Sequence, residues 1–396
     1  MIRLAFVVSH PIQYYVPLYR RLAQRGDVQI KVFFTWHAGG PQARDHGFKK
    51  AVAWDIPLTE GYDFELLPNV AAEPGTHRFW GLRNPSLIPS VTSWKPDAIH
   101  LTGYAYAAHA RAMRSFHGAG IPVLFRGDSH LLRQPRGFRW QIKRTLLREV
   151  YGWVDGCLYV GRHNADYYRE FGVPESRLFY CPHSIEVARF SEPHEELERE
   201  ARAWRLQLGI GEDRTVVLFA GKFEKVKQPL ALMRAFKESA QAHPELLLAM
   251  VGDGELGEEV RGIATDSPEI FRVLPFQNQT RMPMVYRLGN LFVLPSISET
   301  WGLAVNEAMA CGRPALVSDG VGCAPDLIRS GETGEVFPSH DWDAFRQVLG
   351  AMTRDPARLA AMGATARRGA GAFDIPATEE SLVAALRKVL ASRSHS

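Results

Sequence analysis

The chain predicts two doubly wound α/β domains, and three observations carry that expectation. Short apolar runs alternate with helical stretches, the alternation fails once near the middle and then restarts, and 396 residues are enough for two cores.

The first half opens with a buried-strand pattern over Leu4–Val8, and a polar turn, Ser9-His10-Pro11, leads to a helical stretch from about Tyr15 to Arg25. A second strand reads over Gln29–Phe34. Strand and helix then alternate: Ala98–Leu101 with Ala105–Gly118, Pro122–Phe125 with Arg139–Trp153, and Gly156–Val160 with His163–Phe171. Short, mainly apolar strands alternating with helices mean a parallel sheet with helices on both faces.

The second half repeats the plan. Strands are expected at Thr215–Ala220, Leu246–Gly252, Phe271–Pro275, Leu291–Pro295 and Pro314–Ser318, with helices at Pro229–His243 and Leu303–Ala310. Between the halves, YCPHSIEVARFSEPHEE carries Pro182 and Pro193 and loses periodicity, which puts a hinge near Ser184–Pro193. The expected domains are residues 1–185 and 186–375. A tail, 376–396, helical from about Glu379 to Leu390, is expected to pack back toward the first domain.

Composition is ordinary for a globular protein, 46% apolar and 23% charged. Cys157, Cys181, Cys311 and Cys323 form no CxxC pair and read as small buried hydrophobes in a reducing compartment. The N-terminal apolar run is too short for a signal peptide, and no run approaches the ~18 residues of a membrane span, so a cytoplasmic protein is expected. Charge is uneven. Residues 1–185 hold 23 Lys and Arg against 14 Asp and Glu, and the rest hold 24 against 29. The basic first half points to an anionic partner or surface.

The chemistry concentrates in PSISETWGLAVNEAMACGRPALVSD, residues 295–319. A strand ends at Pro295 and a helix starts near Gly302, so the first N–H groups of that helix offer an anion site. Glu299 and Glu307 flank this start. Carboxylates would repel a phosphate, yet each is a good acceptor for the hydroxyls of a sugar or ribose beside one. Lys222 and Lys227, in GKFEKVK after the strand Thr215–Ala220, supply the cations that phosphates need. Sugar, diphosphate and ribose together describe a nucleotide-sugar.

These residues also carry a resemblance. Gly221–Lys227, Val251–Gly254 and Pro295–Pro314 resemble motifs of the retaining nucleotide-sugar glycosyltransferases of family four, with Glu299 and Glu307 in the places of its E-x7-E signature. GVGCAPDLIRSGETGEVF, YCPHSIEVARF and HPIQYYVPLYRRLA are similar to further segments of that family. The resemblance implies the GT-B fold, two Rossmann-like domains facing each other across a cleft. It implies that Glu299 meets the donor sugar, Glu307 the ribose, and Lys222 and Lys227 the diphosphate. The backbone of Thr300, Trp301, Gly302 and Leu303 would assist, and the base would rest near Pro275, Phe276 and Gln277. No metal or cofactor is implied beyond the donor itself.

The chain departs from that pattern in places. Asp128 stands where many relatives carry a first-domain His, with His130 two residues on. Asp128 is the first choice for the polar catalytic residue there, and capping a turn is the plain alternative. His10 lies after the first strand, where an acceptor or a phosphate would pass. Gln228 replaces a family Gly, and Asp326 replaces a Glu. Leu131–Trp153 interleaves Arg133, Arg136, Arg139, Lys143, Arg144 and Arg148 with aromatic and aliphatic residues, a pattern suited to an anionic membrane surface or to a solvated helix face.

The expected activity is retaining transfer of a sugar to a glycan or lipid-linked hydroxyl acceptor, as in bacterial surface polysaccharide or glycolipid assembly. Alternatives are a sugar-nucleotide epimerase or phosphorylase on the same fold, or an inactive scaffold. A dehydrogenase would show GxGxxG after the first strand, and VVSHPI has no glycine there. No recognised nucleic-acid module accompanies the basic half.

Overall fold

A computed structural model describes residues 1–36, 43–45, 50–52, 54–134 and 137–394. Its strands in chain order are β1 (Ile2–Val8), β2 (Val28–Phe34), β3 (Ala43–Asp45), β4 (Lys50–Val52), β5 (Phe64–Leu66), β6 (Ala98–Thr102), β7 (Val123–Arg126), β8 (Gly156–Tyr159), β9 (Leu178–Tyr180), β10 (Thr215–Ala220), β11 (Leu246–Val251), β12 (Phe271–Leu274), β13 (Leu291–Leu294), β14 (Ala315–Ser318) and β15 (Gly334–Phe337). The chain divides into two units. The first comprises Met1–Gln42, Ile56–Ser184 and Ile375–Ser396, and the second Ala43–Asp55 and Ile185–Asp374.

The first unit holds a seven-stranded sheet in the order β5-β2-β1-β6-β7-β8-β9, and every pairing is parallel. The second holds a six-stranded parallel sheet in the order β12-β11-β10-β13-β14-β15. Each order starts at an inner strand, runs outward on one side, then jumps back to fill the other. The reversals fall between β1 and β6 and between β10 and β13, and ligands of open α/β sheets bind where strand order reverses.

Both faces of each sheet are covered, which is why the strands read as apolar runs rather than alternating ones. In the first unit, Val7, Phe33, Ile99 and Phe125 pack with Ala112, Met113 and Phe116 of the helix Ala107–Gly118. On the other face, Phe6, Val32, Leu124 and Leu158 pack with Leu382, Leu386 and Val389 of the last helix, Ile375–Ser394. That helix is tied down by ion pairs from Glu379 to Arg21 (2.6 Å) and Arg25 (3.0 Å), and from Arg393 to Asp155 (2.7 Å).

Some elements differ from the sequence expectation. Trp54 and Asp55 cluster with the second unit, where the Asp55 carboxylate accepts from the Thr280 N–H and hydroxyl and Trp54 packs against Phe276. The helix His194–Gln207 is not among the expected elements, and HEELEREARAWRLQ buries little more than Ala201. The segment read as a hinge contains a short helix, Val187–Ser191, after a bridge between Ile185 and Asp374. In the basic stretch, the helix Phe138–Gly152 buries Trp140 and Leu147. Lys143 lies over the Trp140 ring, and Arg144 pairs with Glu170 at 3.5 Å. Arg136 lies outside the described residues. Among those described, no helix is long and apolar enough to cross a membrane.

Candidate functional site

The candidate residues of the second unit leave the two strands that flank its reversal. After β10 the chain makes a single tight turn, Lys225–Lys227, and enters the helix Pro229–Ala242. After β13 it runs through Ser296–Trp301 into the helix Leu303–Ala310. Three links hold these two loops together. The Ile297 N–H donates to the Val226 carbonyl (2.8 Å), the Gln228 side-chain amide donates to the Pro295 carbonyl (2.7 Å), and the Lys227 ammonium meets Glu299 Oε2 at 2.5 Å. Lys222 lies half-buried in the same β10 loop.

A third loop, after β14, fixes the Glu299 backbone. The Glu299 N–H donates to the Gly320 carbonyl and the Gly322 N–H to the Glu299 carbonyl, both at 2.9 Å. Gly322 tolerates no side chain, because a Cβ there would lie 2.0 Å from the Thr300 carbonyl oxygen. Gly302 caps the following helix at φ 100°, a left-handed conformation that favours glycine. The turn at Gly302 sets Glu299 before the helix start and brings Glu307 onto its second turn. The first N–H groups of that helix have no intrahelical acceptor and sit at its positive end. Trp301 is buried and its indole N–H donates to Asn306 Oδ1 at 2.9 Å, so its ring braces the loop.

Glu307 accepts a hydrogen bond from the Tyr286 hydroxyl at 2.5 Å. Burial pushes its carboxyl above the usual range, with the Tyr286 hydroxyl and the Arg189 guanidinium working against that rise. The Tyr286 phenol is held far up by burial and by the Glu307 charge, so it stays protonated and donates. Arg189 reaches Gln279 Oε1 at 3.1 Å. In the loop that leads to Gln279, Pro275 is exposed and Phe276 and Gln277 are half-buried, with the Gln277 amide donating to the Pro275 carbonyl at 3.1 Å.

Sequence reasoning named Lys222, Lys227, Glu299 and Glu307 but missed Tyr286, Arg189 and Trp54. Tyr286 lies within an apolar helix, Met282–Leu288, and Arg189 within the segment read as a hinge, so neither stood out. Gln228 was noted only as a departure. It adopts the left-handed φ of 53° that a glycine would take and bonds the Pro295 and Ser339 carbonyls.

In the first unit, His10 is half-buried beside Ser9 (Oγ to Nδ1, 2.9 Å) and edge-on to Trp36. Asp128 is half-buried after β7, where its charge adds to the burial that raises the phenols of Tyr15 and Tyr106, and His130 is buried. His109 is wholly buried between Thr35 and the Thr102 and Gly103 carbonyls, and burial lowers its ring to about 4. His100 is lowered to about 3 by burial. Both are neutral packing groups at pH 7. Among the described residues, no group of three or more His, Cys, Asp and Glu converges to hold a metal.

Two family models match this chain, Glycosyltransferase Family 4 over residues 12–189 and Glycosyl transferases group 1 over residues 200–369. A D-inositol 3-phosphate glycosyltransferase of Catenulispora acidiphila is 35% identical over 197 residues, covering 47% of each chain. The chain thus spans about half the length of the curated relatives it matches. Sucrose-phosphate synthase from Thermosynechococcus elongatus superposes with a TM-score of 0.74 at 18% identity, covering 99% of this chain and all of the other. The Anabaena protein HepE, solved in complex with UDP, gives 0.71 at 16% identity, covering 98% of this chain and all of HepE. At such identities these likenesses show the fold, a GT-B pair of parallel-sheet α/β domains.

Proposed function

We propose, from the premise that the chain belongs to the family-four glycosyltransferases, that it transfers a sugar from a nucleoside diphosphate to a hydroxyl acceptor in glycan or glycolipid assembly. The observation that carries this is the Lys227–Glu299 contact at the strand reversal of the second unit, with the start of the helix Leu303–Ala310 beside it. A cation, an acceptor for sugar hydroxyls and a helix N-terminus are what a sugar diphosphate requires.

In the proposed step, the bond from the anomeric carbon to the diphosphate oxygen breaks as the acceptor oxygen bonds to that carbon. The acceptor proton passes to the departing phosphate, which matches attack from the same face and retention of configuration. Charge grows on the departing oxygen. Lys222, Lys227 and the helix N–H groups neutralise it, so this reading needs no metal. Glu299 orients the sugar, and Glu307, held by Tyr286, accepts from the ribose diol. Thr300, Trp301, Gly302 and Leu303 contribute backbone, and the base rests at Pro275–Gln277. Asp128, with His130 as second choice and His10 nearby in sequence to the first strand, serves the acceptor in the first unit.

A lipid-linked acceptor is supported by the helix Phe138–Gly152. Phe138, Ile142 and Leu146 stand four residues apart on it and are 81%, 55% and 57% exposed, with Arg139 and Arg148 also exposed. An exposed apolar stripe flanked by arginines suits peripheral contact with an anionic membrane. The reaction itself is tested by supplying UDP-, GDP- and ADP-sugars with glycan and lipid-phosphate acceptors and following the anomeric proton by NMR, with and without EDTA. A retained product insensitive to EDTA supports the reading. An inverted product, or one abolished by EDTA, overturns its stereochemical or metal-free part.

A further inference from the structure

The first unit contains a cavity of about 720 Å³ that the donor chemistry does not use. It lies along the outer face of the helix Ala107–Gly118, where Ala107, Ala110, Arg111 and Arg114 follow helical spacing. Leu87 and Ile88, on the helix Leu87–Ser93, form the facing wall, and Trp153 closes one side. A strap from residue 70 to residue 85 forms the rim and presents Phe79 and Trp80, the latter 68% exposed.

The strap is built, not loose. Asn69 Oδ1 accepts from the Ala71 and Arg83 N–H groups at 3.1 and 2.9 Å, and its amide donates to the Gly81 carbonyl at 2.9 Å. The buried Asn84 amide donates to the Thr35, Leu67 and Pro68 carbonyls. The two rings at the tip meet edge to face with centroids 5.1 Å apart. A folded strap that holds a tryptophan out in water, over an apolar hollow, forgoes the burial that such a ring normally gains.

The charges on the lining have one sign. Arg83, Arg111 and Arg114 contribute to it, and no Asp or Glu does among the described residues. Arg111 and Arg114 are exposed neighbours on one helix face, an arrangement that repels unless an anion sits between them. Arg114 also lies 5.8 Å from the Trp153 ring. The volume is that of a small-molecule site. Its apolar floor suits hydrocarbon, and its arginines suit a phosphate.

We propose that this cavity binds an anionic amphiphile, a hydrocarbon chain lying on Leu87, Ile88 and Ala110 with its phosphate head held by Arg83, Arg111 and Arg114. It rests on the glycosyltransferase reading only for why such a molecule would be useful there, as a lipid-linked acceptor or an anchor. The cavity is lined by residues of the first unit, whereas Lys227 and Glu299 belong to the second.

The test is calorimetric titration of the whole chain with dodecyl phosphate below its critical micelle concentration. Inorganic phosphate and dodecyl maltoside serve as controls, and each variant is also titrated with the nucleotide that binds wild type. Ala110→Trp fills the cavity and Arg111→Glu/Arg114→Glu inverts its charge. Ala110→Leu replaces Ala110→Trp if the latter does not fold by circular dichroism. The expected result is saturable binding of dodecyl phosphate, weakened at least tenfold in the cavity and charge variants and at least tenfold tighter than either control. Nucleotide affinity should be unchanged. Absent saturation, equal affinity in the variants, or equal binding of a control overturns the proposal. If dodecyl phosphate binds as expected and no nucleotide binds, the donor-site reading fails and the cavity stands.

Discussion

The two units share a strand plan and differ in what they place at its reversal. In the first, β1 and β6 lead to Ser9, His10, Gly103 and the tyrosines 104 and 106, with the neutral His109 wedged behind them. In the second, β10 and β13 lead to Lys222, Lys227 and Glu299 and to the start of a helix. The same topology thus gives one edge lined by aromatic rings and another that carries a Lys–Glu pair before a helix start. Topology fixes where a ligand sits, and the loop residues fix what it is.

Each unit also buries an arginine, by different means. Arg126 donates to the Cys181 and Pro182 carbonyls at 2.8 and 3.0 Å. Arg287 lies 3.2 Å from Glu198, which also pairs with Arg313 at 2.8 Å. The sharpest way to expose this difference is Glu198→Ala, which leaves the Arg287 charge buried without its carboxylate. A loss of about 3–5 kcal/mol is expected in urea denaturation, since removing one partner of a buried pair strands the other.

The contrast at the reversals breaks most directly at Lys227. Lys227→Ala should lower kcat about 10²–10³-fold at saturating donor, by analogy with loss of one oxyanion donor. Tyr104→Phe at the matching edge of the first unit removes only a hydroxyl bonded to Tyr167 and should change kcat less than threefold. Equal effects would remove the distinction between the two edges.

Tyr286→Phe sharpens the account of Glu307. Burial raises the Glu307 carboxyl and the Tyr286 hydroxyl opposes that rise, so losing the hydroxyl raises it further. In the proposed donor site, Glu307 accepts from the ribose most strongly when ionised. Nucleotide affinity is therefore expected to hold above the Glu307 pKa and to weaken as pH falls through it, and in Tyr286→Phe that fall is expected to begin at higher pH. About tenfold weaker binding is expected near neutrality, the size of one hydrogen bond to a charged group, measured by calorimetry across pH.

The smallest expected difference is between two variants at Gln228. Gln228→Ala keeps the left-handed backbone and loses both amide bonds, and should cost about 1–3 kcal/mol. Gln228→Gly loses the same bonds but relieves the conformation, and should cost about 1 kcal/mol less. Equal denaturation midpoints in the two variants would show that the backbone there carries no strain.

The second unit was the more legible in the sequence. Thr215–Ala220 coincides with the structure because it is an apolar run between Arg214 and Gly221, and Leu303–Ala310 because it is a run of helix formers between Gly302 and Gly312. Elements with little buried surface escaped. β5 has three residues and only partial burial, and the helix His194–Gln207 is held largely by charge. The Lys and Glu positions were visible as residues after strands. Their closeness was not, because it depends on Val226, Gln228, Gly320 and Gly322 joining loops far apart in the chain. Tyr286 was invisible for the same reason, since only the packing of its helix brings it to Glu307. In the basic helix, composition did not reveal that Trp140 and Leu147 turn inward and leave Phe138, Ile142 and Leu146 outside.

The central claim, that the second unit is a nucleotide-sugar donor site, is tested most directly by calorimetric titration with UDP, GDP and ADP of the wild type, Lys227→Ala and Glu307→Ala. The account expects one of the three to bind saturably to the wild type and at least tenfold more weakly to both variants. Binding of none, or binding that ignores both substitutions, would contradict it.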